Sequence, residues 1–288
     1  MTKLKLTLFL ASGVLICLVI CWITGGVLVS PARATMPPAP VGADSVTFES
    51  GSGSSIKGWY FKAPAAVSSM VLMHGVRGNR TDLTERANLF QDLGFDVLTF
   101  DLQAHGESSG DAITFGALES LDAIAAVDFA RARQPDKPLV VVAISLGGAA
   151  SLLAGSRLDA DVLIVESVYS DIEQAVANRL NLRIPYSGAL SPLLLWQLGP
   201  RLGIDASELS PVSAASQLSF PTLVLSGSDD QHTLMWEAQA IYDAIPTSKG
   251  LHVFEGASHQ NLHRFDPDGY RKVVVDFICA SIQIPACV

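Results

Sequence analysis

The sequence predicts an α/β fold, a mostly parallel sheet with helices on both faces, over residues 44–288. Three observations predict it. Short apolar runs too continuous to have a solvated face recur from "MVLMHG" to "LHVFEGA". Stretches of helical rhythm separate them, and such alternation implies parallel strands joined by crossover helices. With 288 residues, about half of them apolar, the chain can bury one large core.

Ahead of this domain, Leu6 to Val29 make up 24 residues without a charge, "LTLFLASGVLICLVICWITGGVLV". As a helix at about 1.5 Å per residue they span roughly 36 Å, enough to cross a bilayer. A soluble helix normally shows a polar face, and this one has none. Lys3 and Lys5 precede the run and no acidic residue occurs before Asp44. Residues 1–5 are therefore expected in the cytoplasm, 6–29 in the membrane and the domain on the exoplasmic side. The alternative is a secreted protein cleaved at the small-x-small site Ala32-Arg33-Ala34, although the apolar run is about twice the length of a signal core. Residues 30–43, rich in proline and alanine, read as a linker. Cys17 and Cys21 fall inside the span, while Cys279 and Cys287 can pair in an oxidising compartment or stay as free thiols.

Within the domain, "SVTFES" and "IKGWYF" flank "GSGSS" and read as a hairpin. "MVLMHG", "DVLTFDL", "PLVVVAIS", "DVLIVES", "PTLVLSG" and "LHVFEGA" follow as buried strands. Helices are expected over 82–93, 115–133 and 233–245. In the second, Leu118, Leu121, Ile124, Ala125, Val127 and Phe129 supply the apolar face, with the charges mainly opposite. Residues 171–210 break the rhythm, and Leu193, Leu194, Leu195, Trp196 and Leu198 mark an inserted cap over the sheet.

In an open parallel sheet ligands bind beyond the carboxyl ends of the strands, and Ser145 stands at such an end. Ala143-Ile144-Ser145-Leu146-Gly147 has the form of a nucleophile elbow, G-x-S-x-G, with alanine for the first glycine. The Leu146 N–H then lies at a helix N-terminus, able to donate to a developing oxyanion. A serine hydroxyl needs a base, and the base an orienting acid. Ser228-Asp229-Asp230 follows the strand "PTLVLSG", and Ser258-His259 follows "LHVFEGA", in the chain order Ser, Asp, His. His74-Gly75 ends the first central strand, which makes the Val76 N–H a second oxyanion donor.

Through "HGVRGN", "DLQAHGESSG", "AISLGG", "SGSDD" and "GASHQNL", in that order, the chain resembles the alpha/beta-hydrolase superfamily over about residues 45–283. Its style is most similar to the bacterial serine-aminopeptidase-like branch, which includes membrane-anchored members. The resemblance implies an alpha/beta-hydrolase fold with Ser145 as nucleophile, Asp230 as acid, His259 as base, and Val76 and Leu146 as oxyanion donors. It selects Asp230 over Asp229 because the acid stands three residues after Gly227. Ala104 replaces the glycine of the family's D-x-x-G-H-G-x-S loop, and Leu234 stands where relatives often have proline.

The expected function is a serine hydrolase acting on an ester, thioester or amide, with a small-molecule or lipid-like acyl substrate, no cofactor and no metal. The net charge of −9 and the lack of a Lys/Arg cluster exclude nucleic acid as a partner. The rival is a non-catalytic ligand-binding protein on the same fold. Glu166 is an alternative acid, and Arg77 an alternative contact for an anionic substrate. His74 and His105 read as loop organisers. His263, four residues after His259, has metal-ligand spacing but no third ligand nearby. His232 follows the acid too closely to approach it from another loop.

Overall fold

The computed structural model describes residues 3–282 and 284, and one eight-stranded sheet organises the domain. The strands are β1 (Ala43–Glu49), β2 (Ser55–Phe61), β3 (Ser68–Met73), β4 (Phe95–Phe100), β5 (Leu139–Ile144), β6 (Val162–Glu166), β7 (Thr222–Gly227) and β8 (Lys249–Phe254). Their spatial order is β8-β7-β6-β5-β3-β4-β2-β1. The β1–β2 hairpin and the β2–β4 pair are antiparallel, and all other neighbours are parallel. The central strands are buried along their length, apart from the half-buried Ile144 at the end of β5, as continuous apolar runs require. Strand β8 differs from its expected burial: at the edge of the sheet it is only half-buried up to Phe254.

The helices are α1 (Lys3–Val29), α2 (Thr84–Asp92), α3 (Glu119–Arg133), α4 (Leu146–Ala154), α5 (Ile172–Arg183), α6 (Pro192–Leu195), α7 (Leu198–Leu202), α8 (Pro211–Ala215), α9 (Met235–Ala244), α10 (Leu262–Phe265) and α11 (Pro267–Ser281). Helices α5 to α7 build the cap region between β6 and β7. Two apolar clusters lie against the sheet, one holding Val71, Val141 and Leu163 and the other Leu72, Val140 and Ile164. Alternate residues of the same strands thus feed opposite faces.

Residues 30–42 lie along the domain. Ala32–Arg33 pair in parallel with His105–Gly106, and the Arg33 guanidinium donates to the Ser108 and Gly110 carbonyls at 2.7 Å each. Met36 and Ala39 pack on the core, a burial that the proline content of this stretch concealed. In α1, Ala11–Val29 is long and apolar enough to cross a membrane, and among the described residues it is the single such helix. Cys287 lies outside the described residues, and with it the Cys279–Cys287 pairing.

Helix α3 is rotated from the face its apolar rhythm suggested. Ala123, Ala126, Val127 and Ala130 are buried, as are Glu119 and Asp122, while Leu118 is exposed. Burial of the two acids is made possible by local donors. Glu119 accepts from Gln103 Nε2 and from the Thr114 and Gly116 N–H groups at 2.8–2.9 Å. Asp122 accepts from the Ser50 and Ser52 hydroxyls and the Gln103 N–H at 2.6–2.8 Å.

Burial, opposed by these donors, pushes the Asp122 carboxyl up to about 7. In an unfolded chain an aspartate titrates near about 3.9. Between those values the native state binds one proton more than the unfolded state, so this contribution is full below about 3.9 and is lost as pH rises through about 7. Asp122→Asn is expected to flatten that fall in Tm, and parallel Tm–pH curves for the two proteins would refute the assignment.

Candidate active site

Strand β5 ends at Ile144 and α4 begins at Leu146, so Ser145 alone carries the reversal. Its backbone sits at φ 49° and ψ −108°, a conformation that costs a non-glycine residue roughly 1–3 kcal/mol. The Ser145 N–H donates to the Glu166 carbonyl at 2.8 Å, which pins the turn to β6. A β-carbon on Gly147 would stand 2.6 Å from Met73 Cβ and 2.9 Å from the His74 oxygen. The first turn of α4 therefore lies tight against the end of β3 only because that position is glycine.

The loop after β7 supplies Asp230. Its buried carboxylate accepts from the His232 N–H (2.8 Å), the Thr233 N–H (2.9 Å), the Thr233 hydroxyl (2.7 Å) and His259 Nδ1 (2.8 Å). Burial raises its pKa, but the His259 and Thr233 bonds outweigh that and hold it at about 2. Asp229 is exposed and accepts from Ser228 Oγ at 3.2 Å. His259 follows β8 and lines, with Ser145, Gly75, Val76, Ile144 and Arg179, a cleft of about 320 Å³. No hydrogen bond joins Ser145 Oγ to His259 among the described residues, and such bonds commonly tighten only when substrate is bound. The Val76 and Leu146 N–H groups donate to no protein acceptor among the described residues. Both residues border a second chamber that Ser145 also lines.

Two neutral histidines fix the loop that carries Val76. His74 Nε2 accepts from the Leu102 N–H at 3.0 Å while Nδ1 faces the Gly75 carbonyl at 2.7 Å. His105 Nε2 accepts from the Arg77 N–H at 3.0 Å, with Nδ1 facing Gln103 O at 2.9 Å. Burial pushes His74 down to about 3 and holds His105 below the ordinary range, so each ring keeps one donor and one acceptor. Ala104, in the position where the resembling loop has glycine, sits at φ 59°. The Arg77 guanidinium reaches back to the Val27 and Leu28 carbonyls, where the C-terminal end of α1 favours a cation.

Glu166 is engaged away from His259. Its Oε1 accepts from Arg86 Nη1 at 2.9 Å and from the Tyr270 hydroxyl, and Arg86 Nη2 continues to Asn261 Oδ1 at 2.8 Å. Both charges are about 99% withdrawn from solvent. This network, which no local sequence signal marks, braces the His259 loop from beneath. Arg86→Met leaves Glu166 buried without its cation and is expected to destabilise the fold by about 3–5 kcal/mol. Adding Glu166→Leu should restore most of the loss in urea unfolding, because the pair is then replaced by apolar groups; a double variant as weak as the single one would refute this.

The His232 ring lies 4.9 Å from that of His259, centroid to centroid. Its backbone, not its ring, meets Asp230. His263 packs edge-on against Tyr270 at 5.4 Å. Arg179, from the cap, lines both cavities beside Ser145; its place there was not legible because α5 reaches the Ser145 end of the sheet only in the folded chain.

A family model described as serine aminopeptidase, S33 matches residues 64–194. Protein YqkD of Bacillus subtilis (strain 168) is 27% identical over 232 residues, covering 78% of this chain and 76% of that protein. The lysophosphatidylserine lipase ABHD12 of Danio rerio is 27% identical over 237 residues, covering 79% of this chain and 59% of that protein. The Pyrococcus furiosus esterase Pf2001 superposes with a TM-score of 0.71 at 19% identity, over 89% of this chain and 99% of that one.

Proposed function

The chain belongs to the alpha/beta-hydrolase superfamily, and from that premise we propose that it is a serine hydrolase cleaving a carboxylic ester, thioester or amide. The observation that carries the reading is the 2.8 Å bond between buried Asp230 and His259, whose ring faces the cleft that holds the strained Ser145. Asp230 keeps the proton of His259 on Nδ1, leaving Nε2 free to act as base. The Ser145 hydroxyl proton passes to Nε2 as Oγ bonds to the substrate carbonyl carbon. The Val76 and Leu146 N–H groups receive the resulting oxyanion, each worth about 3 kcal/mol of transition-state stabilisation. His259 then returns the proton to the leaving oxygen, sulfur or nitrogen. Water repeats the cycle on the acyl-enzyme and releases a carboxylic acid.

A lipid-like acyl group is the substrate class favoured by the apolar chamber beside Ser145, and the name of the Danio rerio relative points the same way. The helix α1 is read as the membrane anchor, with the domain exoplasmic. The test is labelling with a fluorophosphonate probe, followed by peptide mapping and turnover of p-nitrophenyl esters. Modification at Ser145 with ester turnover is expected; a folded protein that neither labels nor turns over esters points instead to a binding protein.

A further inference from the structure

The chamber beside Ser145, about 250 Å³, is walled by Val76, Leu146, Phe115, Tyr169, Ile172 and, from the N-terminal helix, Leu28. A narrower slot of about 40 Å³ shares the walls Leu28, Phe115, Ile172 and Val176, then runs on between Gly25 of α1 and Leu198 of α7. The two spaces adjoin at these four residues, the chamber reaching Ser145 and the slot reaching α1, and are taken together as a passage. Two cations also border the chamber, Arg77, which donates to the Val27 carbonyl, and Arg179, which donates to the Ala175 carbonyl at 3.0 Å; the rest of its lining away from Ser145 is mainly apolar. Its polar neighbours at the far end are already engaged with α1: Gln197 Nε2 donates to the Cys21 carbonyl at 3.1 Å, and the Arg201 guanidinium lies 3.7 Å from the centre of the Trp22 ring.

Helix α1 is held in this position from both sides. Trp22 packs against Trp196 of the cap with ring centroids 5.7 Å apart. A β-carbon on Gly25 would stand 2.3 Å from Gln197 Oε1, so the amide of Gln197, the N-cap of α7, rests directly against α1 at this glycine. On the other side the Ile113 N–H donates to the Val29 carbonyl at 2.8 Å, and Arg77 caps the helix end beside the Val76 loop.

We infer that the last two turns of α1 form one wall of the acyl-binding site, that Leu28 sets the acyl-chain length accepted, and that a single unbranched acyl chain lies along this passage from Ser145 toward α1. The inference rests on the acyl-transfer chemistry proposed for Ser145. In that arrangement the segment that crosses the bilayer also selects the substrate, and the chain enters past α1 from the lipid side.

The test uses the full-length protein in detergent micelles with p-nitrophenyl acetate, octanoate and dodecanoate. Each methylene buried in the passage should raise kcat/KM by about fourfold. Leu28→Trp fills the junction of chamber and slot and is expected to lower the dodecanoate-to-acetate ratio of kcat/KM by about tenfold or more, the loss of two or more such methylenes. Val176→Trp, from α5 on the same junction, should act alike. A long-chain fluorophosphonate with a terminal diazirine, attached at Ser145 of the unmodified protein, is expected to crosslink within residues 22–29. The inference is overturned if Val176→Trp shifts the chain-length profile and Leu28→Trp does not, or if the crosslinks fall only on the cap and sheet. Absence of acetate turnover in the unmodified protein would instead remove the serine-hydrolase reading itself.

Discussion

Ser145→Ala is expected to lower kcat for p-nitrophenyl acetate by on the order of 10⁶-fold, the scale on which a lone nucleophile deletion disables a serine triad. Fluorophosphonate labelling should vanish with it. The unfolding transition should stay where it is, because the Ser145 side chain makes no hydrogen bond among the described residues that the substitution would orphan. What holds the turn is main chain: the Ser145 N–H to Glu166, and the close seat of Gly147 on Met73. Alanine retains both. A residual acceleration of about 10³–10⁴ over water should persist, since the Val76 and Leu146 donors remain. Wild-type turnover by a cleanly folded Ser145→Ala protein would remove the nucleophile assignment.

Asp230→Asn is expected to reduce kcat by about 10⁴-fold with little change in KM. An asparagine amide oriented toward His259 Nδ1 favours the tautomer with its proton on Nε2, so the nitrogen facing the cleft loses its lone pair. Asp230 also accepts from the His232 and Thr233 N–H groups, so part of its work is to shape the loop. Catalytic and structural parts separate by pH. With the carboxyl held at about 2, below the unfolded value of about 3.9, its contribution to stability is present above the latter and lost as pH falls through the former. The variant's stability deficit should therefore be steady at neutral pH and shrink only in strong acid, whereas its deficit in kcat should persist wherever the protein is folded. A kcat within tenfold of wild type would show that another group orients His259.

Glu166 illustrates why an acid at a strand end cannot be assigned by position alone. Sequence places it at the carboxyl end of β6, as near to a histidine loop as Asp230. Only folding brings Arg86, 80 residues away, and Tyr270, 104 residues away, to meet its carboxylate. In the same way the apolar rhythm of α3, taken alone, would turn Leu118 and Leu121 toward the core, yet Leu118 is exposed. The Ser50 and Ser52 hydroxyls and Gln103 let Asp122 and Glu119 face inward instead.

The sequence by itself determined the strands, the order of Ser145, Asp230 and His259 along the sheet edge, and the elbow at Ser145. These rest on short-range physics: continuous apolar runs, small residues around a tight turn, and loops that must follow parallel strands. The tertiary structure alone decided which buried charges are neutralised, which face of α3 is covered, and that α1 closes on the cap. For the buried ion pair and for α1 the deciding contacts join residues far apart in the chain, 80 for Arg86 and Glu166 and 179 for Trp22 and Arg201. A local pattern carries no information about such partners, because an apolar helix reads the same whether lipid or a cap lies beside it.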